Sequence, residues 1–568
     1  MPIINQVVQG GGTTPTGTKS ITANGVYDVT DFASADVQVP TTAPAYYIEK
    51  TKDANNKLQI GSTLIDLSGV TDIGDSALAY AYDSNNNITG AVSLTSLTNI
   101  SGANACYQMF YQCMNVTSVD LSSLTKISGY NSCYSMFSGC QHVTSVDLSS
   151  LKMISGQQGC QSMFSNCQQL TSVDLSSLTV INRLYACYQM FYDCQQLTSV
   201  DLSSLVYIDG QYVCYQMFAY CSSINSIDLS SLCKLGTNIQ FNEAFINTQI
   251  TSLSFPSLAY TASSYDTTFS NMLYGVTGCT VHFPAEWQTT MSSWTSVQNG
   301  FGGTNTTVLF DLPNVTLLNL SGITTVNTDD LFLQFAQDNY FSNITSVNLS
   351  NLVTVSGANG CKQMFSGCTN ITGALDLSGL TTVSGQNGCA YMFSGCTGLT
   401  SVDLTGLTTI GSFGCAYMFQ GCTGLIGALD LSSLTTISSS SCSNMFSGCT
   451  GLTSVNLSGL TTISTASALN SMFKGCSGLT TITFDNLSSI SGMSSFSNIF
   501  TDCASLTSVS FPKLQTVTDY TFIHPMINML SGTSNVTVHF PSNATYSITA
   551  STLGGTNTTV LFDLPALA

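Results

Sequence analysis

Apolar and polar positions alternate through Leu170-Thr-Ser-Val173-Asp-Leu175-Ser-Ser-Leu178-Thr-Val-Ile181. Val173 and Leu175 are set against Ser172, Asp174 and Ser176, which is the period-two pattern of a half-buried strand. Leu178 and Ile181 carry the inward pattern on as the chain turns. Cys187, Met190, Phe191 and Cys194 follow at i, i+3, i+4 and i+7, a spacing that predicts one face of a short helix. The whole pattern then returns. Met109, Met136, Met163, Met190 and Met217 stand 27 residues apart, and Met364, Met392, Met418, Met445 and Met472 follow with steps of 28, 26, 27 and 27. A fixed period of roughly 20–50 residues means stacked supersecondary units. The expectation is therefore an α/β repeat solenoid with rungs of strand, turn and short helix, a parallel sheet on one side and helices on the other. Gly129, Gly156, Gly210, Gly357 and Gly385 stand where each helix is entered and read as turn residues. Function in such a chain is carried by rung surfaces rather than by a pocket.

Internal duplication divides the chain. Leu64-Ile-Asp-Leu-Ser-Gly-Val70 corresponds to Leu317-Leu-Asn-Leu-Ser-Gly-Ile323, and Thr280–Pro284 to Thr537–Pro541. Gly302–Pro313 recurs letter for letter at Gly554–Pro565. Two modules follow, 46–313 and 314–568, each opening on an irregular rung and closing on the same cap. A cap is required because a last rung would otherwise expose its apolar face. Residues 1–45 differ: Gly10–Gly17 reads as a flexible linker. Ser20–Thr30, with Asn24-Gly25 at its centre, reads as a hairpin, and Val37-Gln-Val39 as a further strand. This part is expected to be a small β attachment element.

Composition narrows the function classes. Hydrophobic residues reach 43% and charged residues only 7%, so a large core can form and the solvent face must be built from uncharged polar groups. With net charge −19 and only 11 Lys plus Arg, the chain has no basic cluster to engage phosphates. Nucleic acid is therefore not expected as a partner, and an anionic membrane surface is disfavoured. No apolar run is long enough to span a bilayer, so membrane insertion is not expected. The start Met1-Pro-Ile-Ile-Asn-Gln-Val-Val-Gln-Gly10 lacks the basic and apolar regions of a secretory signal. The expectation is processing, or release by another route such as lysis.

Four residue sets are candidates for chemistry. Most of the 22 cysteines lie on the helical positions, seven residues apart within a rung. At about 1.5 Å per helical residue the pair is ~10 Å apart, beyond disulfide reach, and zinc-type hooks are missing. They read as small core residues, with no metal or disulfide. Asp120, Asp147, Asp174, Asp201 and Asp228 hold one strand position in five successive rungs. Like charges about 4.8 Å apart in water cost roughly 0.8 kcal/mol per pair. The row is either a site for cations such as Ca²⁺ or for a cationic or hydroxyl-rich ligand lying along the strands, or a solvated face that keeps the edge soluble. Tyr107, Tyr134, Tyr188 and Tyr215 recur at one position off the core face, and Tyr111 and Tyr192 at another. They read as a binding surface, since tyrosine offers area and a hydroxyl at small entropy cost, or as packing between helices. His282 and His539 occupy matching cap positions. No nucleophile stands beside a histidine in the sequence, and neither a phosphate loop nor a carboxylate pair is present. No catalysis is expected.

The segment Met392-Phe-Ser-Gly-Cys-Thr-Gly-Leu-Thr-Ser-Val-Asp-Leu404 resembles the BspA-like leucine-rich repeats of bacterial surface proteins, over roughly residues 60–530. It departs from them in its Met before the Phe, a second cysteine per rung and a longer rung. Gly17–Thr30 resembles segments of tail and fibre proteins of phages and prophages of gut bacteria. Together the resemblances imply a leucine-rich-repeat solenoid and a non-enzymatic virion tail or fibre component. Its repeats would meet a host-surface glycan or protein, and its N-terminal element other virion proteins. The alternatives are a bacterial cell-surface adhesin and a purely structural spacer. Whether identical chains associate stays open.

Overall fold

In the computed structural model the described residues run from 71 to 566, apart from 77, 87, 236–240, 260–268, 289–299, 328, 334–343, 519–523 and 547, with four two-residue strands nearer the N-terminus. The chain forms two compact units, Met1–Asn314 and Val315–Ala568.

In the first unit each rung supplies two short strands to two parallel sheets. One sheet runs Gly90–Ser93, Val116–Asp120, Ser145–Asp147, Ser172–Asp174 and Ser199–Val200. The second runs Asn99–Ile100, Lys126–Ile127, Met153–Ile154, Val180–Asn182, Tyr207–Asp209 and Lys234–Leu235. Alternation sets Val119, Val146 and Val173 inward, and Leu121, Leu148 and Leu175 close the corner behind them.

The third side corrects the helix expectation. From Asn104 to Cys113 the backbone is a chain of turns. The N–H groups of Tyr107, Met109, Tyr111 and Cys113 donate three residues back, to the carbonyls of Asn104, Cys106, Gln108 and Phe110. Those of Cys106, Gln108, Phe110 and Gln112 instead donate to Ser132, Tyr134, Met136 and Ser138 in the next rung. Asn104, Gln108 and Gln112 have φ of 54°, 48° and 54°, so every fourth residue is left-handed and the ribbon cannot wind into an α-helix.

Spacing explains the choice. Phe110, Phe137, Phe164, Phe191 and Phe218 stack at 5.0, 5.6, 5.8 and 5.6 Å, so the third side repeats at nearly the spacing of the sheets. Packed helices need about 8–10 Å. A turn ribbon fits the smaller step and gives its spare N–H groups to the neighbouring rung.

The second unit is built alike. Thr325–Val326, Thr354–Val355, Thr382–Val383, Thr409–Ile410 and Thr436–Ile437 form one parallel sheet. Its ribbon is tied upward by Cys389, Tyr391 and Phe393 N–H to Gly414, Ala416 and Met418. Rungs with one extra residue absorb it at a strand entry, where the register shifts between Gly373 and Ala374 and between Gly427 and Ala428. These glycines have φ of 80° and 83°, a conformation open to glycine at no steric cost.

Methionine, phenylalanine and cysteine fill the interior. All 22 cysteines carry free thiols, buried except for the half-buried Cys368. The thiols are more than filler. Cys140, Cys167, Cys194 and Cys221 donate S–H to the carbonyls of Phe110, Phe137, Phe164 and Phe191 one rung earlier, at 3.0, 3.3, 3.1 and 3.0 Å. Cys396, Cys422, Cys449, Cys476 and Cys503 repeat this in the second unit at 3.1–3.2 Å. Each is a weak donor placed in a dry core, where alanine would leave the carbonyl one partner short.

The ladder glycines do something other than turn the chain. A Cβ on Gly156 would collide with the Gly129 carbonyl oxygen, so the residue permits close approach of successive rungs.

The hairpin expectation near the N-terminus is also corrected. Lys19–Ser20 pairs in parallel with Val37–Gln38, and Val26–Tyr27 in parallel with Tyr47–Ile48. Parallel partners cannot be joined by a tight turn. Asn24-Gly25 and the linker at Gly10–Gly17 lie outside the described residues.

Candidate functional site

Two outward faces of the first unit carry the candidate residues. On the sheet face, Asp120, Asp147 and Asp174 are direct register partners. Asp201 and Asp228 continue the position in later rungs. Each aspartate Oδ1 accepts the N–H two residues on, from Ser122, Ser149, Ser176, Ser203 and Ser230 at 2.8–3.0 Å. The carboxylate therefore closes the turn that ends its strand. In the second unit Asn348 and Asn456 do the same to Ser350 and Ser458, both at 3.1 Å, so the turn needs the oxygen and not the charge. At Asp376 the Ser378 hydroxyl, then the Ser378 amide, hold the carboxyl below its usual range.

What the charge adds is a surface. Ser118, Asp120, Ser145, Asp147, Ser172 and Asp174, with rung neighbours to Asp201, line a groove of about 600 Å³. Asp228 is not among the lining residues. Among the described residues no three His, Cys, Asp or Glu side chains gather closely enough to hold a metal ion, so the Ca²⁺ reading is not carried further. The turn-closing role has a direct test. Asp174→Asn is expected to leave the urea midpoint of unfolding nearly unchanged, while Asp174→Ala costs about 1 kcal/mol. Equal losses from both would show that the Oδ1 bond is not what the aspartate contributes.

The ribbon face carries the tyrosines, stacked rung on rung. Tyr107 lies on Tyr134 at 4.9 Å and 8°, and Tyr188 on Tyr215 at 5.1 Å and 10°. Beside them runs a second column that the sequence reading missed: Tyr185 stacks on Tyr212 at 5.4 Å and meets Tyr188 edge-on at 5.4 Å. The i, i+3 spacing of Tyr185 and Tyr188 was the available signal. Tyr192 meets Tyr220 edge-on at 5.2 Å, and Tyr111 accepts from Gln112 Nε2 at 3.2 Å.

The tyrosine contacts expected between helices are thus made between ribbons, by half-buried rings. Burial holds the phenols of Tyr107, Tyr134, Tyr188 and Tyr192 above their usual pKa. Tyr215 is raised further, by burial first and then by its 2.9 Å hydrogen bond to Glu243 Oε2. Gln189 Nε2 donates to Gln216 Oε1 at 2.6 Å, and Gln216 Nε2 donates to Glu243 Oε2 at 2.7 Å. The face is therefore an array of hydroxyls and amides, with Asp193 beside Tyr192 and Glu243 at the Tyr215 end. In the second unit Tyr391 stacks on Tyr417 at 4.4 Å.

The caps hold a contact the sequence concealed. His282 Nδ1 sits 2.9 and 3.0 Å from the two Asp311 oxygens, and His539 stands the same way to Asp563. Ser254 and Ser510 are the register partners of these histidines on the preceding strand. Ser, His and Asp thus occupy three adjacent strands in each cap, a neighbourhood invisible in the linear order. Among the described residues neither serine hydroxyl is hydrogen-bonded to its histidine, the contact a nucleophile would need. The pairs pin the last two strands together.

Among the described residues no helix is long and apolar enough to cross a membrane. A search of curated proteins returns no match. Solved structures with related repeats include a leucine-rich repeat protein from Bacteroides ovatus, at 19% identity over 78% of this chain and 83% of that one, TM-score 0.21. A leucine rich cell surface protein from Faecalibacterium prausnitzii is 15% identical over 70% and 85%, TM-score 0.20. The pneumococcal vaccine antigen PcpA is 13% identical over 97% and 95%, TM-score 0.19. These scores are too low to carry an argument. The family model of the BspA type leucine rich repeat region matches residues 65–183, 160–273, 316–426, 386–499 and 416–550. With most of its length matched and its rungs built as described, the chain belongs to the BspA-type leucine-rich-repeat family.

Proposed function

We propose that this protein is a non-enzymatic recognition scaffold that acts outside the cell producing it and binds a glycan or protein on a host surface. The observation that carries the reading is the stacked tyrosine column of the first unit, a hydroxyl-rich face with aromatic area. The serine–aspartate groove offers a second set of acceptors for sugar hydroxyls. Placement on a phage tail or fibre is supported by the likeness of Gly17–Thr30 to such proteins. Placement as a bacterial adhesin is supported by the family, whose repeats occur in bacterial surface proteins.

Labelled full-length protein applied to gut bacteria and to epithelial cells separates these. Adhesion to bacteria, lost after their surface polysaccharide is oxidised, is the expected result for a tail component. Adhesion confined to epithelial cells favours the adhesin. Adhesion to neither overturns the recognition role and leaves a structural spacer.

A further inference from the structure

The tyrosine column of the first unit is interrupted at one rung. Tyr107 stacks on Tyr134 and Tyr188 on Tyr215. Backbone hydrogen bonds on either side place Gln161 in the rung between the two pairs. Tyr134 and Tyr188 each have one ring face against a stacking partner. Their other faces are turned toward Gln161's rung. Two rung steps separate these faces by ~10 Å, given ring-to-ring steps of 4.9 and 5.1 Å in the same column. The Gln161 amide oxygen accepts from Gln158 Nε2 at 2.9 Å, which ties the amide to a neighbour along its own rung. All four side chains at the gap are half-buried.

We infer that this gap is a carbohydrate subsite, in which a neutral hexopyranose ring lies between Tyr134 and Tyr188 with its hydroxyls on the Gln158 and Gln161 amides. The inference rests on the recognition role proposed above and names its ligand class. Width favours a sugar. A flat aromatic ring held at about 3.5 Å from each tyrosine fills only about 7 Å. A puckered chair, with its carbons about 4 Å from each ring, fills about 9 Å. The remaining ångström is within the swing of two tyrosine side chains. Chemistry agrees: C–H groups meet ring faces, and amides both donate to and accept from hydroxyls. A neutral sugar fits because the four side chains at the gap, Tyr134, Tyr188, Gln158 and Gln161, carry no charged group.

Gln161→Tyr tests the subsite without dismantling the face. Tyrosine is what Tyr107, Tyr134, Tyr188 and Tyr215 already supply at this position, so the variant continues the column and fills the gap. On an array of neutral hexose, sialylated and sulfated oligosaccharides, the full-length wild type is expected to retain neutral sugars only. Gln161→Tyr is expected to weaken that binding at least tenfold, as is the double variant Tyr134→Ala with Tyr188→Ala. Equal binding by wild type and Gln161→Tyr overturns the subsite, as does retention of acidic sugars alone. Adhesion to cells that persists in Gln161→Tyr, with no array signal from either protein, overturns the subsite while the recognition role stands.

Discussion

Brought to pH 10, the second unit is expected to unfold with nothing else changed. Burial pushes Cys422, Cys442 and Cys503 up to about 12. For the same leading reason it holds Cys396, Cys415, Cys449 and Cys476 well above an ordinary thiol. A thiol that keeps its proton in the folded chain and loses it in the unfolded one favours unfolding as pH rises. The stabilising proton is fully retained below about pH 9 in both states, and the contribution disappears as pH climbs from there toward the folded values. At pH 10 each such thiol costs on the order of 1 kcal/mol. Seven of them together remove several kcal/mol, a large share of the stability of an ordinary domain. Raised phenols push the same way in the first unit. Circular dichroism between pH 8 and 11, equilibrated from the folded and the denatured side, reads the transition. Native signal at pH 11 with the thiols still closed to alkylation would show that the stability of the unit exceeds this alkaline penalty and would overturn the prediction.

Phe164→Ala is the second large effect, expected to cost about 3–5 kcal/mol. The ring is fully buried and stacked between Phe137 at 5.6 Å and Phe191 at 5.8 Å. Truncation opens a cavity and breaks both contacts of the aromatic column at once. Because stability in a solenoid is passed from neighbour to neighbour, the rungs on either side are expected to lose coupling. A single urea transition should then broaden or split. Phe164→Leu, which keeps most of the volume, is expected to cost less than half as much. A loss under 1 kcal/mol for the alanine variant would mean that the column is not what joins the rungs.

The period, the strand and the inward set were legible in the sequence because each is a matter of spacing. Val173, Leu175, Met190, Phe191 and Cys194 are buried as their pattern requires. The helix was misread for the same reason. A ribbon with a left-handed residue at every fourth place also turns i, i+3, i+4 and i+7 to one side, so periodicity cannot separate it from an α-helix. The deciding quantity is the distance between rungs, and that emerges only once the chain is stacked. Spacing alone places Asp174 in a row with Asp120, Asp147, Asp201 and Asp228. Its bond to the Ser176 amide was available in the Asp-x-Ser pattern, which is a common turn closure. His282 and Asp311 were beyond reach because they meet through the register of two cap strands, 29 residues apart in the chain.

One-residue excesses at Gly373 and Gly427 are taken up where a strand is entered, and the next rung resumes in step. Coding segments that match so closely invite unequal recombination. An array assembled this way can gain or shed whole rungs while its two ends stay the same, so descendants are expected to differ in length by multiples of about 27 codons. A population could thereby vary how much contact area it offers without ever designing a new fold.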